Sequence, residues 1–203
     1  MRADAAIGLL GGSFDPVHRA HIELARAALS TLGLDAVWLV PAGTPWQRPA
    51  LAASPEHRRA MVALAIADEQ GLDVCDVELA RTGSSYTVDT LVELRARHPQ
   101  ARFTLLLGAD QLANFTTWKD WARITDLADL AVAPRPGQPW QVPVEVAEAL
   151  RKRASAVRTI EMPPRDISAT GIRARRAQGL RVDDLVPPRV ARYIEQHHLY
   201  SNH

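Results

Sequence analysis

The chain has 203 residues, 47% of them hydrophobic, and a formal net charge of +1. That length fits one generous globular unit or a domain with a small C-terminal appendage, and so small a charge gives no global pull toward nucleic acid or a membrane surface. The single cysteine, Cys75, rules out an internal disulfide. No apolar run approaches the ~20 residues that cross a bilayer, and the start has no basic stretch leading into a long apolar core; a cytoplasmic protein is the expectation.

Short apolar runs alternate with helical patterns along the whole chain. Residues 5–10 read as a buried strand and 22–29 as an amphipathic helix. A second strand is expected at 36–40. Ser54-Pro55-Glu56 then opens a helix with a cap, a proline and an acid, and Met61, Val62, Leu64, Ala65 and Ile66 supply its apolar side. A third strand is expected at 73–77, with Cys75 as a small buried hydrophobe, and a helix at 87–97. The run 103–107 is almost wholly apolar, as central parallel strands tend to be. Another strand falls at 130–133. A helix begins at Pro143 and ends in the basic run 151–153, and a last short strand covers 157–162. Helices follow at 168–178 and 188–198. This alternation predicts an α/β fold: a doubly wound, mostly parallel sheet with right-handed crossovers and a small helical C-terminal part. Ligands of such sheets bind beyond the carboxyl ends of the strands, where the chain order reverses. Two proline-rich loops, 41–53 and 134–143, hold Trp46 and Trp140 and read either as lids or as covers of the sheet edge.

The stretch from Gly11 to His21, GGSFDPVHRAH, carries the most chemistry. A strand, a glycine turn and a helix start make a place to hold phosphate. Gly11 and Gly12 are expected to free the backbone and let a ligand approach. Asp15-Pro16 reads first as a helix start, with the carboxylate as cap and proline in the first turn, and second as a direct catalytic group. His18 then falls near the third helical position, with His21 one turn on. Imidazoles there can donate hydrogen bonds to phosphate oxygens. A metal pair or two ordinary helix histidines are the alternatives. A zinc helix spaces its histidines four apart beside a glutamate, which this run does not do.

That string resembles the nucleotidylyltransferase signature in which a strand, turn and helix carry a His-x-x-His pair, in the form found in bacterial nicotinate-nucleotide adenylyltransferases. One departure is Ala20, where the family usually has glycine beside the adenine; the added methyl implies a slightly shifted base.

A second constellation lies at Ile167-Ser168-Ala169-Thr170-Gly171-Ile172-Arg173. Ser168 is a natural cap, Thr170 adds a hydroxyl and Arg173 a fixed charge at a helix N-terminus. It resembles the family's I-S-x-T-x-x-R motif, which grips the β- and γ-phosphates of ATP; Ala169 stands where serine is common. Arg175 and Arg176 beyond it read as a solvated helix face.

Three further elements match. Gly108-Ala109-Asp110 follows a strand; Asp110 reads equally as a ribose acceptor or a helix cap, and the family's L-G-x-D element implies the sugar. Thr117-Trp118-Lys119-Asp120-Trp121 offers two indoles; the resemblance implies that Trp118 stacks on a pyridine ring, while Trp121 reads as packing. Ser85-Tyr86-Thr87 precedes a helix, and backbone N–H groups there suit a carboxylate; the family's S-Y-T-x-x-T-L element matches 85–91.

The resemblance therefore covers nearly the whole chain as one nucleotidylyltransferase domain, with 165–203 as its helical C-terminal portion. It implies transfer of an adenylyl group from ATP to nicotinate mononucleotide, in nicotinamide dinucleotide biosynthesis. Gly11, Gly12, Ser13, Phe14, His18, His21, Gly108, Asp110, Ile167, Ser168, Thr170 and Arg173 are expected on the ATP side, with His18, His21 and Arg173 catalytic. Ser85, Tyr86, Thr87 and Trp118 are expected on the mononucleotide side. Mg²⁺ is expected to ride on the ATP phosphates without side-chain ligands. His197, His198 and His203 read as exposed end residues. Competing readings are another adenylyl or cytidylyl transferase of this fold, or a non-catalytic nucleotide or nucleic-acid binder.

Overall fold

The structure is a computed structural model that describes residues 4–45, 51–134, 139–163 and 166–201. In chain order its main elements are β1 (Ala6–Gly12), α1 (Arg19–Leu32), β2 (Ala36–Pro41), β3 (Thr44–Pro45), α2 (Pro55–Ile66), β4 (Leu72–Val74), β5 (Ser84–Ser85) and α3 (Thr87–Arg97). They continue with β6 (Arg102–Gly108), α4 (Ala109–Ala113), a 3-10 turn (Phe115–Thr117), α5 (Trp121–Leu127), β7 (Asp129–Ala133), α6 (Val144–Arg151), β8 (Arg158–Thr159), α7 (Ala169–Ala177) and α8 (Pro188–Gln196).

Six strands form one sheet in the order β4-β2-β1-β6-β7-β8, and every described pairing is parallel. The chain order reverses between β1 and β6, which is where a doubly wound sheet opens a crevice at its carboxyl edge. Gly12 and Gly108 end those two strands. The side chains alternate as the pleat demands. Leu10 and Leu106 point into a core under α1, α2, α7 and α8. Leu9, Leu105 and Leu107 point into the opposite core under α3, α4, α5 and α6. Both faces are covered, which is why the strands are apolar throughout.

The helices follow their sequence signals closely. Ile22, Ala25, Ala28 and Leu32 form the buried stripe of α1. Gly33, at φ 63°, closes that helix in the left-handed conformation that glycine adopts without strain, and its N–H bonds the Leu29 carbonyl. Ser54 caps α2 by accepting the His57 N–H, and Pro55 takes the first position. Ser168 caps α7 by accepting the Gly171 N–H at 3.1 Å. Ile172, Val182, Val186, Val190 and Ile194 seat the C-terminal segment in the same core as α1 and α2.

Several expectations are corrected. The first helix begins at Arg19 rather than at Pro16: His18, with extended backbone, is its N-cap, and the Asp15 carboxylate bonds Ala52, Ala53 and Tyr200 instead of capping it. Gly11 and Gly12 are regular strand residues with no left-handed φ; that conformation falls on Phe14, at φ 48°. The strand expected at 73–77 covers Leu72–Val74, and Cys75 is half-buried. The strand expected at 157–162 shrinks to Arg158–Thr159. A separate two-stranded parallel pair, β3 with β5, crosses segments read as loops. Trp140 packs on the core under α3–α6, consistent with a cover; Trp46 lies outside the described residues.

Candidate active site

The loop after β1 places the two histidines at the sheet edge. His18 is the N-cap of α1, with extended backbone, and not a residue of its first turn. Its backbone N–H donates to the His21 Nδ1 at 3.2 Å, three residues on. The rings stack with centroids 3.7 Å apart and 20° between planes. Phe14 packs against the second of them: its buried ring meets His21 edge-on at 4.9 Å. His18 is only 6% exposed, and its Nδ1 is buried without a hydrogen-bond partner. Burial disfavours the imidazolium and lowers its pKa to about 4. At neutral pH the free protein therefore presents an uncharged His18 ring.

Asp15 does a different job from a helix cap. Its carboxylate is 2% exposed and accepts three hydrogen bonds: from the Ala52 N–H at 2.8 Å, the Ala53 N–H at 3.0 Å and the Tyr200 hydroxyl at 2.8 Å. Its backbone carbonyl accepts a fourth, from Arg173 Nη1 at 2.8 Å. The guanidinium near the end of the chain thus meets the loop that leads, three residues later, into His18. Arg173 Nη2 also reaches Thr170 Oγ1 at 3.4 Å, one turn back on α7. Ser168 and Thr170 are exposed at that helix start, while Ile167 is half-buried and anchors it to the core.

On the other side of the β1 edge lies a cavity of about 230 Å³. Gly11, Gly12 and Ser13 form one wall; Ser85, Thr87 and Trp118 face it across the ends of β2 and β6. The structure so brings together expected residues from three separate segments. Trp118 is half-buried and leans on Phe115, with centroids 5.3 Å apart. Trp121 packs on the same phenyl ring at 6.4 Å. Tyr86 is the N-cap of α3, and Thr87 its first residue, so N–H groups at this end are not used within the helix. His18, His21 and Arg173 stand outside this lining. Gly108 caps α4 and its N–H donates to Gln111 Oε1 at 3.0 Å. Asp110, exposed in that first turn, is therefore not the cap.

Several residues escape a reading of the sequence. Arg58 is 1% exposed; its Nη1 donates to the Ser13 carbonyl at 2.9 Å and its Nη2 to the Gly43 carbonyl at 3.2 Å. It is a buried strut between the phosphate-side loop and the segment beside the cavity. The signal was present: Arg58 occupies the apolar stripe of α2 with Met61, Val62 and Ala65. Glu78 lines the cavity, buried, and accepts from Thr90 Oγ1 at 2.7 Å. Burial pushes its carboxyl up, against the hydrogen bonds of Thr90 and Ser85 and the charge of Arg81. The Gly43 N–H donates to Ser85 Oγ at 3.0 Å, and a Cβ on Gly43 would stand 2.4 Å from the Glu78 carbonyl, so only glycine fits there. Lys119 pairs with Asp89 and sits 4.5 Å over the Tyr86 ring. Arg176, expected in solvent, reaches the Ser201 hydroxyl at 3.4 Å.

The described residues hold no group of three or more His, Cys, Asp or Glu placed for a metal ion, and no described helix is long and apolar enough to cross a membrane.

Open α/β sheets bind ligands at the carboxyl edge where the strand order reverses, and the stacked histidine pair follows the loop that leaves β1 at that edge. A family model described as cytidylyltransferase-like matches residues 9–175, and the chain belongs to that family. A Bordetella avium protein named "probable nicotinate-nucleotide adenylyltransferase" is 51% identical over 195 residues, 96% of this chain and 97% of its own. One of the same name from Neisseria meningitidis serogroup B is 41% identical over 96% of this chain and 98% of its own. Within the family the chain stands with these nicotinate-nucleotide adenylyltransferases. Among solved structures, nicotinic acid mononucleotide adenylyltransferase of Plasmodium falciparum complexed with NaAD aligns over 97% of both chains, at a TM-score of 0.78 and 20% identity, and shares the fold.

Proposed function

We propose that the two halves of the cleft divide one reaction between them: adenylyl transfer from ATP to nicotinate mononucleotide, giving nicotinate adenine dinucleotide and pyrophosphate. The observation that carries this reading is the meeting of Arg173 with the Asp15 carbonyl, which draws a C-terminal cation to the histidine loop beside a cavity walled by Trp118, Ser85 and Thr87.

An oxygen of the mononucleotide 5′-phosphate attacks the α-phosphorus of ATP. The new P–O bond forms as the bond from that phosphorus to the bridging oxygen breaks, and pyrophosphate leaves. The attacking oxygen is already anionic, so no general base is needed. Catalysis comes from alignment and from donors aimed at developing charge. His18 and His21 are assigned to the α- and β-phosphate oxygens; a neutral His18 donates one N–H without the cost of a buried cation. Arg173, Ser168, Thr170 and the free N–H groups of α7 hold the β–γ end, with Ile167 anchoring that helix. Gly11, Gly12 and Ser13 form the wall against which the nucleotide lies, with Phe14 beneath it, and Gly108 and Asp110 take the ribose. Ala20 shifts the adenine slightly.

Trp118 stacks on the pyridinium, whose charge favours the indole face. N–H groups at Tyr86 and Thr87 take the carboxylate, with Ser85 held in register by Gly43. These donors reward an anion, which supports the acid over the amide. A magnesium ion would be held through phosphate oxygens and water, where it would neutralise charge on the polyphosphate; among the described residues no group of three or more His, Cys, Asp or Glu is placed to hold it. A transferase fed by ATP belongs in the cytoplasm. The shared core of the sheet and the C-terminal helices supports reading 1–203 as one domain.

The test supplies ATP and Mg²⁺ with nicotinate mononucleotide, its amide or phosphopantetheine, and follows pyrophosphate and the adenylylated product. Nicotinate mononucleotide should give the highest kcat/KM. A better amide would sink the carboxylate assignment, and ATP binding without pyrophosphate release would sink the reaction.

A further inference from the structure

The last turn of the chain ends in a place that catalysis alone does not explain. Beyond α8, His198 and Tyr200 both take left-handed backbone, at φ 50° and 63°, which non-glycine residues adopt only where the surroundings hold them. The double turn brings the Tyr200 ring against the core and its hydroxyl to the Asp15 carboxylate at 2.8 Å. Burial and that carboxylate push the phenol's pKa far up, so it stays a donor. The next residue, Ser201, is touched by Arg176. Arg176 lies on α7, one turn from Arg173, and Arg173 donates to the Asp15 carbonyl. Loop, helix and tail form a closed ring of contacts: Asp15 to Tyr200, Ser201 to Arg176, Arg173 back to Asp15.

We propose that Tyr200 is a positioning residue for the polyphosphate half of the site: its hydroxyl fixes Asp15, whose carbonyl sets the Arg173 guanidinium and whose carboxylate ties down the 52–53 segment. The inference rests on Arg173 serving ATP, as proposed above. Tyr200 touches no reacting atom. It acts through Asp15, and its influence is confined to the side of the cleft that Asp15 borders; the cavity lined by Ser85 and Trp118 does not include it.

The test is Tyr200→Phe, which keeps the ring and removes the one hydroxyl, read as separate KM values for ATP and nicotinate mononucleotide together with Tm. The expected result is a rise of about 5-fold or more in KM for ATP, in the range of one weakened hydrogen bond to a charged group, with KM for the mononucleotide within 2-fold. Asp15→Asn, which keeps the shape and weakens the acceptor, should give the same split. In an Arg173→Ala background the Tyr200→Phe effect on ATP should disappear, since coupled residues are not additive. A fall in Tm with both KM values unchanged, or a rise equal for both substrates, overturns the proposal and leaves Tyr200 a packing residue. Arg173→Ala alone keeps the two readings apart. If it turns over normally, the ATP assignment fails and the proposal falls with it; if it is impaired while Tyr200→Phe is not, only the positioning role falls.

Discussion

The two halves of the cleft are built in opposite ways. The half proposed for the mononucleotide is a cleft walled by strand ends, the start of α3 and one indole, with apolar side chains from β6 among its lining. The half proposed for the polyphosphate is assembled from parts of the chain 158 residues apart, Asp15 and Arg173, beside the loop that leads into the stacked histidine pair. A flat ring is recognised by burial and stacking, which local packing can supply. A chain of phosphates needs several charged or N–H donors aimed from different directions, and separate elements must converge to provide them. One buried group joins the halves: Arg58, holding the Ser13 and Gly43 carbonyls; Asp15 instead ties the histidine loop to the segment just before α2 and to the tail.

This contrast predicts that variants split by substrate. The largest effect belongs to His18→Ala: kcat should fall at least ~10²-fold, as when one transition-state donor is removed, while binding of nicotinate mononucleotide, measured by calorimetry, persists. Turnover near normal would remove His18 from the mechanism.

The same residue makes stability depend on pH. Its pKa is about 4 in the folded chain against about 6.5 when unfolded. The unfolded chain therefore binds the extra proton between those values. Stability is fully present above pH 6.5 and is lost as pH falls toward 4, by roughly 2–3 kcal/mol. Denaturant titrations across that range should show the slope, and His18→Gln should flatten it. An equal slope in that variant would place the effect elsewhere.

Arg173→Lys keeps the charge but loses the planar fork that spans the Asp15 carbonyl and Thr170. KM for ATP should rise roughly 10-fold, with KM for the mononucleotide unchanged in steady-state kinetics. Trp118→Ala should do the reverse. Losing a stacking face and its attraction for a pyridinium should raise KM for the mononucleotide by roughly 5- to 10-fold. Should both variants shift both substrates alike, the division of the cleft is wrong. The smallest effect is expected of Ser85→Ala, which removes the acceptor of the Gly43 N–H. It should raise KM for the mononucleotide about 3-fold, in keeping with one neutral hydrogen bond.

Much of this was legible without coordinates because the signals are local. The apolar stripe of α1, the Ser54 and Ser168 caps, and the apolar run of β6 each depend on residues a few positions apart, and the structure keeps them all. The motif residues could be named for the same reason: a strand, a turn and a helix start lie within one stretch of chain. What the tertiary structure alone decided are the long-range partners. Nothing near Asp15 in the chain says that its carboxylate will be claimed by Ala52, Ala53 and Tyr200 instead of capping the next helix. Nothing near Glu78 or Gly43 says that they meet beside a cavity, because β3 and β5 pair across 40 residues. A side chain's hydrogen bonds go to whatever donors the folded chain brings near, and that neighbourhood is a property of the topology, which short-range pattern does not encode.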